Sequence, residues 1–177
     1  MEIQASRIAA RTDPETGAPV PLLEQDRARW DGLLVERGLR ALERADALPG
    51  PRGPYTLQAA IAACHARARL AADTDWQRIV ALYSTLALVE PSPVVELNQA
   101  AAEAHLLGPQ TALERMDRVA GTLDGYVYLH AARADMLRRL ERRPEAMAAY
   151  ERALELAGNE SERRFLRRRL AELRAAS

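Results

Sequence analysis

Lysine is absent from this chain; all 25 basic residues are arginine, and 25 acidic residues balance them. That balance excludes a global field steering the protein toward nucleic acid or anionic membrane. The all-arginine composition is read as codon bias of a GC-rich genome. Cysteine occurs once, as Cys64, so no internal disulfide can form and nothing points to secretion. Aromatic residues are only 5% of the chain, so the core of this 177-residue protein must be built from Leu, Ala and Val. No apolar run approaches the roughly 20 residues of a membrane helix. The first twelve residues do not have the pattern of a signal peptide. The expected compartment is the cytoplasm, with no membrane association.

What is present is helical periodicity. Apolar residues recur at three and four positions between prolines and glycines. The pattern predicts an all-α fold of about nine helices, near 1–11, 25–47, 55–71, 75–90, 93–107, 109–121, 126–141, 144–157 and 159–174. The segment "TDPETGAPVP" reads as the one linker, and strand signals are missing. Helix 1–11 has no N-cap residue, and Ile3 and Ile8 lack the partners of an amphipathic stripe. It is either a frayed terminus or a helix interrupted at Met1.

The second half repeats. "NQAAAEAHLLGPQTALERMDRVAG" aligns with "AARADMLRRLERRPEAMAAYERALELAG" so that Ala100 matches Ala134, Ala112 matches Ala146, Met116 matches Tyr150 and Val119 matches Ala153, each pair 34 apart. This is the tetratricopeptide period. The copy with Ala134, Ala146, Tyr150 and Ala153 resembles the tetratricopeptide motif closely. Small residues let the two helices of a hairpin approach, and the aromatic fills the space beside them. A looser copy holds Ile79, Tyr83 and Leu86. The implied architecture is a right-handed superhelix of helical hairpins closed by a capping helix at 159–174, over residues 25–177, with 1–24 as an N-terminal helix and linker.

Few residues suggest chemistry. His65, His105 and His130 lie on three predicted helices, without metal-ligand spacing, and no metal or cofactor is expected. Cys64, in "AAIAACHARA", reads as core filler, turned about 100° from His65 on an ideal helix. "GPRGPY" lacks the Lys-Ser/Thr of a phosphate loop and reads as a turn with Pro54 opening a helix. The arginine-rich "ERRFLRRRLAELR" reads as a solvated capping helix that buries Phe165, Leu166, Leu170 and Leu173. Asn98 and Gln58 are expected to be buried and to form structural hydrogen bonds between helices. No acid–base pair or nucleophile dyad converges, so an enzyme is not expected.

"MEIQASRIAAR", "LLEQDRARWD", "GPYTLQAAIAACHA", "TDWQRIVALY", "PSPVVELNQA" and "NESERRFLRRRLAEL", in this order and spacing, resemble the C-terminal extension of a group of bacterial extracytoplasmic-function RNA polymerase sigma factors. In that group a tetratricopeptide-like domain follows the two promoter-binding sigma regions, region 2 and region 4, which this chain lacks. In the family a segment like "MEIQASRIAAR" lies inside a longer helical stretch, so the resemblance implies that this chain is part of a longer protein. It implies a regulatory module whose partners are sigma regions 2 and 4 of the same protein and, through them, the RNA polymerase core. No direct nucleic-acid contact is expected. Gln25, Asp26, Arg27 and Asp31 would form the seam to the sigma domains, with Gln25, Asp26 and Arg27 making hydrogen bonds that fix the linker's approach; the alternative is an ordinary helix N-terminus with Asp26 as its cap. Trp30 would pack inward on one helical face with Leu33, Leu34, Ala41 and Leu42. Charge reversal at Asp26 and Arg27 should then spare the stability of the isolated chain. The other reading is a free-standing tetratricopeptide adaptor that binds a peptide or protein partner.

Overall fold

The computed structural model describes residues 2–175. Among them there are nine α-helices and no strand beyond one isolated antiparallel bridge, Thr12 to Pro19. The fold is all-α, as the periodicity predicts. The chain divides into two compact units, one up to Pro91 and one from Ser92 onward. The division falls between Pro91 and Ser92, not at residue 24, and the N-terminal segment packs on α2 and α3. Met1, whose place the sequence left open, lies outside the described residues.

The first unit contains α1 (Glu2–Ala5), α2 (Gly32–Asp46), α3 (Pro54–Arg67) and α4 (Trp76–Val89). The helix predicted over 1–11 is shorter than expected: α1 is one turn, followed by a 3₁₀ turn at Ile8–Ala10. Ile3 nevertheless has a partner. It is buried against Gly38 of α2, where a Cβ would collide with Ile3 Cγ1 and come within 3.1 Å of its backbone N. Ile8 is exposed. The predicted linker is an ordered loop, in which Asp13 accepts from the backbone N of Glu15 and Thr16 and Val20 N donates to Arg11 O.

The helix predicted over 25–47 begins instead at Gly32. Two aspartates break its front. Asp26 caps a 3₁₀ turn at Arg27–Arg29 by accepting from Ala28 N, and Asp31 caps α2 by accepting from Leu33 N and Leu34 N. Each cap residue has extended backbone, which a continuous helix cannot contain. Trp30 therefore precedes α2 and does not share its buried face. Trp30 is buried at 8% exposure, whereas Leu33 is 73% exposed, contrary to the expected common face. Pro54 opens α3 at its first turn, as expected of "GPRGPY", and Arg52 closes that loop on Asp46 through two 2.7 Å hydrogen bonds. Ile79, Leu82 and Leu86 are the buried stripe of α4, while Tyr83 is only half-buried.

The second unit contains α5 (Pro93–Glu103), α6 (Pro109–Val119), α7 (Val127–Arg139), α8 (Arg143–Leu156) and α9 (Glu160–Ala175), each packed on the next. The repeat positions form its core. Ala100, Ala112, Met116, Ala134, Ala146, Tyr150 and Ala153 are each at most 2% exposed. Alanine at the helix crossings removes the side-chain bulk that would separate the axes, and Tyr150 fills the space this leaves. On α9, Leu166, Leu170 and Leu173 are buried. Phe165 lies half-buried under the guanidiniums of Arg168 and Arg169, at 5.8 and 5.3 Å. The outward arginines pair with Glu151, Glu160 and Glu172, as a solvated capping helix requires.

Candidate functional site

The stretch from Gln25 to Asp31 crosses the C-terminal end of α3. A helix leaves its last carbonyls without intrahelical donors. No glycine follows α3 to turn the chain back over them; Ala68 is extended instead. Arg27 supplies the missing donors from a distant part of the chain. Its Nη1 donates to His65 O and, at 2.7 Å, to Ala68 O, and its Nη2 donates to Thr74 Oγ1 at 3.1 Å. The planar guanidinium serves three acceptors at once, and its charge complements the negative end of the helix dipole. Burial lowers the Arg27 pKa against the opposing attraction of Asp73, yet a guanidinium remains charged at any physiological pH.

Trp30 lies beside this bridge. The guanidinium carbons of Arg7 and Arg27 stand 5.6 and 5.3 Å from its ring centroid, within reach of cation–π attraction. Burial, and then the neighbouring charges of Arg11 and Arg27, lower the Arg7 pKa. The first residues are fastened to the same place. Asp31 N donates to Ser6 O at 2.9 Å, Ser6 Oγ donates to Ile3 O at 2.7 Å, and Arg29 donates to Ala9 O and Thr12 O. Gln25 is buried and donates to Val20 O at 3.0 Å. Gln25 Oε1, Arg27 Nε and Trp30 Nε1 are buried without a hydrogen-bond partner, each a cost of about 1–3 kcal/mol.

The four seam residues named from the sequence therefore divide. Gln25 and Arg27 point inward and hold the first unit together, while Asp26 and Asp31 are exposed caps. The hydrogen bonds of Arg27 go to partners 38, 41 and 47 residues away within the same unit.

The expected polar pair is also corrected. Asn98 is exposed. Ala100 faces the core, and two residues turn a helix by about 200°, which places Asn98 on the opposite side. Gln58 is exposed as well, although it does reach across helices, donating to Glu90 Oε2 at 3.4 Å. The polar group actually buried on α5 is Glu103, 3% exposed, which pairs with Arg115 Nε of α6 at 2.9 Å and accepts from Gln99 Nε2 at 3.1 Å. Its spacing from Ala100 was the available signal, three residues along the same face. His65 is buried edge-on to Trp76, with ring centroids 5.4 Å apart. Burial pushes the Cys64 thiol pKa up, which disfavours the thiolate a nucleophile needs. No helix among the described residues is long and apolar enough to cross a membrane.

Residues 1–46, the stretch that carries the seam, match a family of unknown function (DUF6596). The chain is similar to an uncharacterized protein of Rhizobium meliloti (strain 1021), with 42% identity over 173 residues. That alignment takes in 98% of this chain, but the chain spans only 40% of the relative's length.

Proposed function

We propose that this chain is a regulatory protein-interaction domain of a bacterial extracytoplasmic-function sigma factor, acting in the cytoplasm on sigma regions 2 and 4 of the same protein. Through those regions it modulates the RNA polymerase core in transcription initiation. The family likeness of the six quoted segments suggests the reading. Similarity to a relative more than twice as long, over almost all of this chain, supports a module within a larger polypeptide.

The observation that carries the mechanical part is the clamp of Arg27 on the end of α3. Residues 2–31 are tied to one another at Ser6, Arg29 and Trp30, and to the rest of the first unit by Arg27, which reaches His65, Ala68 and Thr74, and by the pairing of Glu2 with Arg37. A polypeptide joined to this segment would be oriented by the unit and would not swing on a flexible tether. The exposed groups left to make outward contacts are Asp26, Asp31 and the apolar Ile8, Leu23 and Leu33.

The test uses a promoter reporter driven by the longer protein that carries this sequence. Ile8→Ser with Leu33→Ser should change reporter output while leaving thermal melting of the isolated chain as it was, since neither side chain is buried. Removing residues 1–177 altogether should change output at least as much. Output unaltered by that removal would overturn the reading.

A further inference from the structure

The first unit holds a second polar site, lined in part by Ala68, whose carbonyl Arg27 bonds. A cavity of about 310 Å³ opens between the end of α3, the 3₁₀ turn at Ala71–Asp73 and the start of α4, lined by Cys64, Arg67, Ala68, Arg69, Asp73, Asp75 and Arg78. Most arginine side chains of this unit have partners: Arg37 pairs with Glu2, Arg40 with Glu36, Arg52 with Asp46, and Arg7, Arg11, Arg27 and Arg29 bond to side-chain or backbone oxygens. The side chains of Arg44, Arg67, Arg69 and Arg78 make no hydrogen bond or ion pair among the described residues. Three of these four line the one cavity.

The two carboxylates in the lining form no ion pair with them and offset their charge only in part. Asp73 Oδ2 accepts from Leu70 N at 3.2 Å, and Asp75 Oδ1 accepts from Arg78 N at 2.9 Å as the cap of α4. Each keeps its charge, so three guanidiniums against two carboxylates leave the lining one positive charge in excess. Arg27, outside the lining, bonds the carbonyl of the lining residue Ala68. Guanidinium forks match phosphate oxygens two at a time. The volume lies at the small end of ligand sites, which run to about 300–1,000 Å³.

We propose that Arg67, Arg69 and Arg78 form a binding site for a phosphate dianion, either free or carried on a phosphorylated side chain. Cys64 and Ala68 are the buried residues of its lining. The proposal does not depend on the sigma-factor reading.

The test is a titration of the whole chain with inorganic phosphate, against chloride at fixed ionic strength, read from backbone amide NMR shifts. Shifts should saturate and concentrate between residues 64 and 78. Arg67→Gln and Arg78→Gln should each weaken phosphate binding about two- to fivefold. Both side chains are exposed and unpartnered, so the variants should melt like the parent. Arg44→Gln, which removes an unpaired arginine outside the cavity, should leave the affinity unchanged. In a second arm a phosphoserine peptide replaces phosphate. Tighter binding of the peptide would assign the site to a phosphorylated side chain, and equal or weaker binding would assign it to free phosphate. Shifts that rise without saturating, or an affinity that Arg44→Gln lowers as much as Arg67→Gln does, would overturn the proposal.

Discussion

Arg27 is the residue on which the first unit turns. It satisfies two carbonyls at the end of α3 and the buried hydroxyl of Thr74. Arg27→Gln should lower stability by about 2–4 kcal/mol, because hydrogen bonds to a charged group are lost and their acceptors are left orphaned. Arg27→Lys should recover little, since a point charge cannot serve three separated acceptors. Asp26→Asn, at an exposed 3₁₀ cap that an amide oxygen can still serve, should stay within about 0.5 kcal/mol. Trp30→Ala should cost about 3–5 kcal/mol. Urea midpoints of the four variants would check the order. Trp30 is buried as expected, but not on the helical face from which its burial was expected, since it precedes α2 and Leu33 is exposed. The direction of Arg27 was not legible in the sequence, because its partners are mainly backbone carbonyls far along the chain, and a carbonyl leaves no mark in a sequence.

At the scale of elements, helix ends explain both the successes and the errors of the sequence reading. Prolines 54, 93, 109 and 144 open helices where the residue pattern places them. The error at 25–47 arose because Asp26 and Asp31 are compatible with a helix interior or with caps, and tertiary bonds to Ser6 and to α3 decide for caps. Helix C-termini show a shared solution in a chain with few glycines: arginines from elsewhere bond the last carbonyls, Arg27 at α3, Arg139 at Ala104 after α5, and Arg163 at Ala157 after α8. The all-arginine composition, read from the sequence as codon bias, thus has a structural use. The contact of α1 with α2 rests on Gly38, and it can be tested by a double-mutant cycle. Gly38→Ala should destabilise by about 1–3 kcal/mol despite alanine's better helix propensity, because its Cβ meets Ile3. In an Ile3→Ala background most of that penalty should vanish, leaving only the 3.1 Å approach to the backbone N of residue 3. Equal effects in both backgrounds would mean that α1 does not dock there.

For the molecule as a whole, the unit from Ser92 onward was legible at its buried repeat positions, Asn98 and Glu103 excepted, because a 34-residue period exposes the pattern. The unit up to Pro91 was not. It has no repeat to compare, and its N-terminal third is held by polar bonds between segments distant in sequence. Reading residues 1–24 as a linker missed those bonds. The central claim is that residues 2–31 are an integral part of this unit, locked through Arg27. Native-state hydrogen exchange on the full chain tests it most directly. The amides of Val20 and Asp31, bonded to Arg11 O and Ser6 O, should be protected to the same order as those in the middle of α3 and α4, and Arg27→Gln should lower the protection of all of them together. Exchange of Val20 and Asp31 at free-chain rates while α3 and α4 stay protected, unaffected by Arg27→Gln, would contradict it.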